Sequence, residues 1–384
     1  MNRILPESFR NRWQNTNNLI QVIVGPRQVG KTTAITTISQ NTNSIYATAD
    51  QPMTPTVSLI IENWEKARLI NKETKAVLIL DEIQKIPRWS ETVKMLWDED
   101  VRNKTIMNVW LLGSSAMLIE KGLSESLTGR FESSFFPHWI YEECRKIFSV
   151  TLEDYLFIGG YPKAYTFKDD KERCEDYIQN SILETTLGRD VLTMHAVDKP
   201  ALLKQLFWYT SKLPARIVSY EKILSHLQGK GNSATLVHYA NLLSMAFILV
   251  PISKYSGAIH RTKRSIPKWI FPNPALVDPS EKQIGLNGFT LENLVGSHIL
   301  NLIFGKKKYS LCYWREDNKE VDFILTEHGK AVLAIEVKSG RVKSVPNKKY
   351  LEDHKINCPL VTINKDNIDS FMKTTSAEQL LKKF

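Results

Sequence analysis

Gly25 to Thr32 reads GPRQVGKT, and this stretch decides the fold of the first part of the chain. The preceding run, Leu19 to Val24 (LIQVIV), is short, apolar and rich in β-branched residues, which predicts a buried strand. The eight residues of GPRQVGKT fit the pattern G-x-x-x-x-G-K-[ST] at every constrained position, and a helix is expected to begin at their end. A strand, a glycine-bearing loop and a helix in this order predict a phosphate-binding loop, or P-loop.

Each constrained residue of this loop has a chemical reason. The glycines at 25 and 30 allow the backbone to curl so that its N–H groups point at phosphate oxygens. The N-terminus of the following helix adds a field that favours negative charge. Lys31 is expected to reach the β and γ phosphates of ATP, and the Thr32 hydroxyl to take one position on Mg²⁺. The predicted ATP-binding residues are Gly25, Pro26, Arg27, Gln28, Val29, Gly30, Lys31, Thr32 and Thr33.

A second acidic element follows in the stretch VLILDE, from Val77 to Glu82. An apolar strand that ends in Asp81 delivers a carboxylate to the edge of the sheet that carries the P-loop, where it can hold Mg²⁺ through water. Glu82 is the predicted general base that orients and deprotonates the attacking water. Many buried strands end in acidic residues, so this stretch alone is weak evidence for a Mg²⁺ site. Its separation from the P-loop along the sequence makes the prediction stronger.

Two further residues are candidates for the chemistry of phosphoryl transfer. Leu111 to Ala116 (LLGSSA) predicts the end of another strand, after which Ser114 or Ser115 can hydrogen-bond the γ-phosphate or the attacking water; an ordinary turn is the alternative. Arg130, in the stretch SLTGRFE, is a candidate to stabilise the charge that develops on the transferred phosphoryl group. Its alternative is a surface salt bridge.

The order of elements predicts the fold class. Short apolar runs alternate with helix-like stretches over residues 1–145, which indicates an α/β domain, a P-loop NTPase parallel sheet with helices on both faces. A helical and winged-helix region is predicted over 146–275 and an α/β nuclease-like domain over 276–384. The predicted strands of the first domain are Leu19–Val24, Ala76–Leu80 and Val109–Leu112, and its helices include Val57–Ile70 and Ser90–Asp98.

The middle region contains a helix–turn–helix candidate. Tyr220–Leu227 and Ala234–Ile248 are the predicted helices, and Leu249–Tyr255 with Pro267–Phe271 are the predicted strands of a wing. The second helix would present polar side chains to DNA, and the wing would contact phosphates, although winged helices also serve in protein docking. The residues concerned are Thr235, His238 and Tyr239 on the helix and Arg261, Lys263 and Arg264 on the wing.

A second constellation of charged residues lies near the C-terminus. An amphipathic helix is predicted over Leu291–Ile303, and strands over Lys308–Trp314, Glu320–Leu325 and Ala331–Val337. Asp322, Glu336 and Lys338 lie on these strands in a D-x13-E-x-K arrangement that is similar to the PD-(D/E)xK nuclease core, and Glu292 is a possible further ligand. Asp322 and Glu336 would share a Mg²⁺ while Lys338 positions or activates water. The alternative is a solvated sheet face with alternating charges.

Composition and charge limit the function classes. The 384 residues carry a net charge of +10, and residues 254–384 hold 22 Lys/Arg against 14 Asp/Glu, which is 22 − 14 = +8. A basic C-terminal third fits a polyanion partner such as DNA, or a basic surface kept for solubility. The sequence shows no apolar run of membrane-helix length, no signal-like start and no paired metal spacing among its 4 Cys, so a cytoplasmic protein without a membrane partner is expected.

Several motifs together resemble a known family. GPRQVGKT, VLILDEIQKIP, LLGSSA and LTGRFE, in this order, resemble prokaryotic AAA+-type ATPases whose C-terminal region of unknown function joins a winged helix to a nuclease-like domain. Similarity extends to GGYP, LGRD, LENLVGSHIL, EVDFIL and IEVKSG, and so covers nearly the whole chain. The resemblance implies that Ser114 or Ser115 is a sensor and that Arg130 is an arginine finger, which acts either within its own subunit or on a neighbouring subunit of a homo-oligomer. The sequence departs from the pattern of this family at two places. Asn273 stands where such proteins often have aspartate, and the serine pair stands where many AAA+ proteins have Asn or Thr as the sensor.

These observations support two hypotheses from different classes. In the first, ATP hydrolysis at the P-loop drives or gates a DNA-directed C-terminal region, with nuclease cleavage left open. In the second, the chain is a nucleotide-dependent switch for signalling or assembly, and its C-terminal region docks a protein and cleaves nothing. Stimulation of ATP turnover by DNA would distinguish them.

Overall fold

The computed structural model describes most of the chain, and the chain divides into two compact units, Met1–Phe136 and Pro137–Phe384. The division into three domains at 145/146 and 275/276 remains a prediction. The described residues are 3, 7–15, 18–113, 123, 126–194, 197–229, 231–256, 265–282, 285–286, 288–316, 319–340 and 349–384.

The first unit is built on a parallel sheet with helices. The described strands are hydrogen-bonded in the order β2-β3-β4-β1-β5, and every neighbouring pair is parallel. The strands are β1 (Ile20–Val24), β2 (Asn43–Thr48), β3 (Ala76–Asp81), β4 (Asn108–Gly113) and β5 (Phe131–Phe135). The helices are α1 (Glu7–Gln14), α2 (Lys31–Ser39), α3 (Val57–Asn71) and α4 (Trp89–Asn103).

Sequence patterns found the central strands of this sheet but not its edges. The predicted strands β1, β3 and β4 and the predicted helices α3 and α4 are present, so the P-loop NTPase fold class of this unit is confirmed. β2 and β5 were missed. Both are edge strands in which most side chains are only partly buried, and their sequences, NSIYAT and FESSF, lack the continuous apolar run of a strand covered on both faces.

The second unit begins with helices and ends with a mixed sheet. Two short strands, β6 (Val250–Ile252) and β7 (Lys268–Ile270), pair antiparallel between these parts, where the predicted wing strands lie. The helices before this pair are α5 (Tyr141–Phe148), α6 (Leu152–Ile158), α7 (Lys171–Asp176), α8 (Val191–Met194), α9 (Pro200–Ser211), α10 (Tyr220–Leu224) and α11 (Ser233–Met245). The helices after it are α12 (Pro279–Lys282), α13 (Gly288–Ile303), α14 (Lys349–Asp353), α15 (Ile368–Met372) and α16 (Ala377–Lys383).

The C-terminal sheet contains the three strands that were predicted from the sequence and one edge strand that was not. β8 (Tyr309–Glu316), β9 (Lys319–Glu327) and β10 (Lys330–Val337) pair antiparallel in sequence order, and β11 (Leu360–Ile363) adds in parallel to β10. β8 to β10 agree with the predicted strands, whereas β11 was missed. Residues 317–318, between β8 and β9 in the sequence, lie outside the described residues. No helix of the described residues has the length and apolar character of a membrane span.

Helix α13 corrects one expectation. The sequence predicted an amphipathic helix, yet every residue from Thr290 to Ile303 is buried. The polar side chains of this helix bond to the neighbouring chain segment instead of to water, because a buried polar group needs a partner. Asn293 accepts from the Phe271 amide at 2.9 Å, and Ser297 and Asn301 donate to the Pro272 carbonyl at 2.8 and 2.6 Å.

Asn273 connects two of the motifs that were noted in the sequence. Its side-chain oxygen accepts from the amides of Gly160, in GGYP, at 3.0 Å and of Ala275 at 3.2 Å, and its amide group lies 3.3 Å from Nδ1 of His138. Gly159 has a φ of 64°, and a Cβ at that position would lie 1.8 Å from the Asn273 oxygen. The departure at Asn273 therefore concerns a buried structural hydrogen-bond network of the second unit.

His298 on α13 is expected to make the stability of the second unit depend on pH. Its Nε2 lies 2.9 Å from the Thr374 hydroxyl, and Nδ1 has no hydrogen-bond partner among the described residues. Burial lowers the pKa of His298 from 6.5 to about 3. As the pH falls below 6.5, the unfolded chain therefore binds a proton that the folded unit rejects, and the free energy of unfolding is expected to fall by about 1.4 kcal/mol per pH unit from this group.

This prediction can be checked by urea unfolding between pH 7 and pH 5. His298→Asn should lose its share of the pH slope, whatever its stability at pH 7. His328→Asn, at the exposed turn between β9 and β10, is the matched control and should keep the wild-type slope. An unchanged slope in His298→Asn would contradict the assignment.

Candidate functional site

The P-loop connects β1 to α2 with the backbone geometry that its glycines allow. Gly30 has a φ of 83° and precedes the first turn of α2, and Gln28 also lies in the left-handed region with a φ of 61°. Gly25 follows β1 directly, and a Cβ there would lie 2.1 Å from the carbonyl oxygen of Phe136. Only glycine fits this position, because any side chain would collide with the backbone that follows β5.

Lys31 lies inside the loop. Its side-chain Nζ donates to the carbonyl oxygens of Gly25 and Pro26, both at 2.9 Å, and the residue is 6% exposed. These contacts hold the ammonium at the loop and the N-terminus of α2, where phosphate groups are bound in such loops. To contact a phosphate, Lys31 would exchange carbonyl oxygens for phosphate oxygens.

Thr32 and Asp81 lie far apart in the sequence but in contact in the fold. The Thr32 hydroxyl donates to Oδ2 of Asp81 at 2.7 Å, across 49 residues of sequence. Asp81 is the last residue of β3, and the hydroxyl follows the P-loop, so both groups lie at the carboxyl edge of the sheet. A hydroxyl and a carboxylate are hard oxygen ligands, and the pair therefore fits Mg²⁺.

Glu82 follows Asp81 in a strained backbone conformation. It has a φ of 52°, which is uncommon for a residue other than glycine, and its amide donates to Oδ1 of Asp81 at 2.9 Å. Its carboxylate accepts a hydrogen bond from the side chain of Gln84. The backbone of Glu82 is therefore bonded to the Asp81 carboxylate, and its own carboxylate is bonded to Gln84.

Tyr46 is a member of this site that sequence reasoning missed. Its hydroxyl donates to Oδ2 of Asp81 at 2.8 Å, so the same carboxylate oxygen accepts from both Tyr46 and Thr32. Partial burial, together with the bond to Asp81, raises the pKa of Tyr46. No sequence signal pointed to this residue, because its contact requires the edge strand β2 to pair with β3.

We expect Tyr46→Phe to weaken the response of the site to Mg²⁺. The substitution removes only the hydroxyl, and the loss of a partner that orients a metal-binding carboxylate typically costs about 10- to 100-fold in metal affinity or activity. The Mg²⁺ concentration for half-maximal phosphate release should therefore rise about tenfold, while ATP binding without Mg²⁺ stays as in the wild type. Tyr209→Phe, on α9, is the control. A Mg²⁺ titration identical to the wild type would contradict this role.

The predicted sensor follows β4, which lies between β3 and β1 in the sheet. β4 ends at Gly113, so the strand reaches the carboxyl edge at which Asp81 and the P-loop also lie. Ser114 and Ser115 themselves lie outside the described residues.

The structure does not bring Arg130 to the P-loop. β5 pairs in parallel with β1, and the paired residues run from Ile20 with Phe131 to Val24 with Phe135. Arg130 lies just before the start of β5, whereas the P-loop follows the end of β1. At about 3.3 Å per strand residue, the two lie on opposite edges of the sheet, roughly 16 Å apart. The guanidinium forms a bidentate ion pair with Asp98, at 2.7 and 3.1 Å, and lowers the pKa of that carboxyl. Arg130 therefore does not reach the P-loop of its own subunit and forms a structural ion pair there instead. Its action on a neighbouring subunit remains a prediction.

The C-terminal site differs in composition from its prediction. Glu292, Glu320 and Asp322 form what we call the carboxylate cluster, in which one oxygen from each residue lies within 4.8 Å of the others. Glu292 and Asp322 were predicted and Glu320 was missed, although it lies two positions before Asp322 on β9, where the side chains of a strand point the same way. The ammonium of Lys268, also missed, contacts all three carboxylates.

Glu336 and Lys338 lie beside the cluster. The pairing of Phe323 with Ile335 sets Glu336 next to Asp322 on the neighbouring strand, as predicted. Lys338 is 54% exposed, and its Nζ lies 3.7 Å from Glu336. Asp322 and Glu336 are thus brought together on two paired strands, with Lys338 directly after the second, and the structure adds Lys268 and Glu320 to them.

Electrostatics connect Lys268 closely to the cluster. Burial alone would lower the pKa of Lys268, but the charges of Glu292 and Asp322 outweigh it and raise that pKa. Burial raises the pKa of Glu292, and the Lys268 ammonium opposes that rise. The ammonium therefore favours the charged form of the carboxylates and they favour the charged form of the lysine, while burial still leaves the pKa of Glu292 above its ordinary value.

The helix–turn–helix candidate is only partly available for contacts. His238 is exposed on α11. Tyr239 is buried, and its hydroxyl accepts from the Lys199 amide at 3.0 Å, so the expectation that it faces DNA is wrong. Thr235 bonds to Asn232 at the N-terminus of the helix. The basic wing residues Arg261, Lys263 and Arg264 lie outside the described residues.

A parallel sheet in which the interior strand β1 leads into a P-loop, with the aspartate at the end of β3 bonded to the loop threonine, is the arrangement of the P-loop NTPase class. Residues 17–144 match the family model of the AAA domain, which supports an AAA-type P-loop fold for this part of the chain. Residues 149–280 and 287–378 match two models described as domains of unknown function, DUF8612 and DUF4143.

Relatives and a solved structure resemble most of the chain. Uncharacterized protein MJ1544 of Methanocaldococcus jannaschii is 25% identical over 341 residues, which cover 83% of this chain and 74% of the relative. Uncharacterized protein MJ1637 of the same organism is 24% identical over 402 residues, covering 91% and 81%. The Walker-type ATPase PABY2304 of Pyrococcus abyssi has a TM-score of 0.52 at 13% identity, covering 71% of this chain and 93% of that one, and so shares the fold.

Proposed function

We propose that the first unit binds ATP with Mg²⁺ and hydrolyses it. The observation that carries this proposal is the 2.7 Å hydrogen bond between Thr32 and Asp81. It joins the end of the P-loop to the acidic strand end, which are the two groups that hold Mg²⁺ in P-loop ATPases. The residues of GPRQVGKT would bind the phosphates through the loop amides and Lys31.

The residues of the site divide the chemistry between them. Lys31 and the N-terminus of α2 would stabilise the negative charge of the phosphates, and Thr32 and Asp81 would hold Mg²⁺. Bound Mg²⁺ supplies further positive charge at the phosphate oxygens. Glu82 would accept a proton from the attacking water, and Ser114 or Ser115 would bond to that water or to the γ-phosphate.

Arg130 enters this proposal only through a second subunit. It lies at the edge of the sheet opposite the P-loop, and its partner Asp98 is 37% exposed. In a homo-oligomer, Arg130 could exchange Asp98 for the phosphates of an adjacent subunit and stabilise the charge that develops there. Loss of ATP turnover in Arg130→Ala, restored by mixing with Lys31→Ala chains, would support action between subunits.

The C-terminal region is proposed to couple ATP turnover to DNA. Its charge of +8 from residues 254–384 supports a polyanion partner, since phosphate contacts supply most non-sequence-specific affinity. A protein-docking switch is the second candidate function, and the burial of Tyr239 favours it, because the helix offers fewer polar side chains to base edges. The division into an ATPase domain, a winged-helix region and a nuclease-like domain is part of the same proposal.

The test is phosphate release from Mg·ATP by the purified chain, with and without duplex or single-stranded DNA. Turnover that rises with DNA, falls again with added salt and is lost in Glu82→Gln supports the DNA-coupled ATPase. ATP turnover that DNA does not change, together with ATP-dependent oligomerisation, supports the protein-docking switch. Absence of turnover under all conditions overturns hydrolysis.

A further inference from the structure

Lys268 is a buried lysine in the middle of the carboxylate cluster. The residue begins β7, and its side chain is 1% exposed. Its Nζ contacts Glu292, lies 3.2 Å from Glu320 and 3.4 Å from Oδ1 of Asp322, and lies 3.3 Å from the Asp322 carbonyl oxygen. A buried ammonium is costly unless it is paired, so these contacts account for its presence in the core.

The ammonium lies where a divalent cation would have to bind. Carboxylate oxygens that come within 4.8 Å of one another have the spacing of ligands around a single ion, as in a metal-dependent nuclease. Here that space holds the Nζ of Lys268. The other oxygen of Asp322 accepts from the Val337 amide at 2.7 Å, so both of its oxygens are already engaged.

The neighbouring carboxylate also has an internal cation. Glu336 lies beside Asp322, and Lys338 lies 3.7 Å from it. Two lysines of the chain therefore face the acidic side chains that would otherwise attract metal ions.

We propose that Lys268 replaces the metal ion in this nuclease-like site. The cluster is then an ionic centre without metal that ties β7, α13 and β9 together, and the C-terminal unit performs no metal-dependent phosphodiester cleavage. The inference rests on the nuclease-like interpretation of the C-terminal region but not on the proposed ATP hydrolysis, because the residues proposed to bind ATP belong to the first unit.

The experiment measures Mn²⁺ binding by calorimetry without nucleotide. All proteins carry Asp81→Asn, which removes the other carboxylate expected to bind metal. The wild-type cluster should bind no Mn²⁺. Lys268→Met removes the charged terminal nitrogen and leaves an apolar side chain one atom shorter, and it should bind one Mn²⁺ at least about tenfold more tightly than the detection limit of the titration. Adding Asp322→Asn should abolish that gain.

Lys254→Met is the matched control. Lys254 lies just after β6 and pairs with Glu316 at 2.9 Å, but it does not touch the carboxylate cluster. It should leave Mn²⁺ binding unchanged.

Three results would overturn the proposal. The first is Mn²⁺ binding by the protein with Lys268 intact that disappears on Asp322→Asn. The second is cleavage of supercoiled DNA with Mn²⁺ or Mg²⁺ that likewise depends on Asp322. The third is a folded Lys268→Met protein that gains no Mn²⁺ affinity. If Lys268→Met does not fold, the proteins with Lys268 intact still decide the matter, since the proposal requires that they neither bind metal at Asp322 nor cleave DNA.

Discussion

Replacement of Glu82 by glutamine is expected to lower the rate of ATP hydrolysis by about 10²- to 10⁴-fold, the usual contribution of a general base. Glutamine has nearly the same shape and can adopt the same backbone conformation. The hydrogen bond of 2.9 Å from the backbone amide of residue 82 to Oδ1 of Asp81 should therefore persist. What it lacks is an oxygen that can take a proton from water. ATP binding should therefore remain within about twofold of the wild type, because the P-loop is untouched.

Single-turnover phosphate release and equilibrium binding of a fluorescent ATP analogue measure the two effects separately. Glu91→Gln is the matched control, since Glu91 is an exposed acid on α4 that pairs with Arg88. It should hydrolyse ATP at the wild-type rate. Normal turnover in Glu82→Gln would show that another group is the base.

Replacement of Lys31 by alanine is expected to weaken ATP binding by about 2 kcal/mol or more, which is roughly 30-fold in Kd. The ammonium is buried at the loop, and the lost contact would be a charge-assisted bond to phosphate. The variant also deprives the Gly25 and Pro26 carbonyls of their donor, so its fold should be checked by circular dichroism.

Lys85→Ala serves as the control for a lost lysine in the same unit. Lys85 is partly exposed and pairs with Asp50 at 2.5 Å. Its removal should leave the Kd for ATP unchanged. Equal ATP affinity in the wild type and in Lys31→Ala would remove Lys31 from the phosphate site.

Sequence reasoning was most successful where a function requires a local pattern. The P-loop is one continuous segment, and its glycines, lysine and threonine follow from the need to wrap a backbone around phosphate. Asp81 could be found as well, because carboxyl ends of parallel strands share one edge of a sheet. Tyr46 could not, since its contact with Asp81 arises only when β2 pairs with β3 at a particular register.

At the C-terminal site, too, the sequence did not reveal which side chains meet. The spacing of Asp322, Glu336 and Lys338 predicted strands that bring acids together, and these strands do pair. A lysine within the apolar run IPKWIF could have signalled a buried ion pair. Its partners could not be identified, because Lys268 belongs to a separate hairpin and meets the acids only through tertiary packing.

The P-loop, the acidic end of β3, the parallel sheet of the first unit and the main strands of the C-terminal sheet could be predicted from the sequence, because periodicity and local motifs encode them. Which charges meet depends instead on tertiary packing. It placed Arg130 with Asp98 at the edge away from the P-loop, and it placed the ammonium of Lys268 among three carboxylates. The physical reason is that a charge is stabilised by partners within a few ångströms, and strand order and register select those partners.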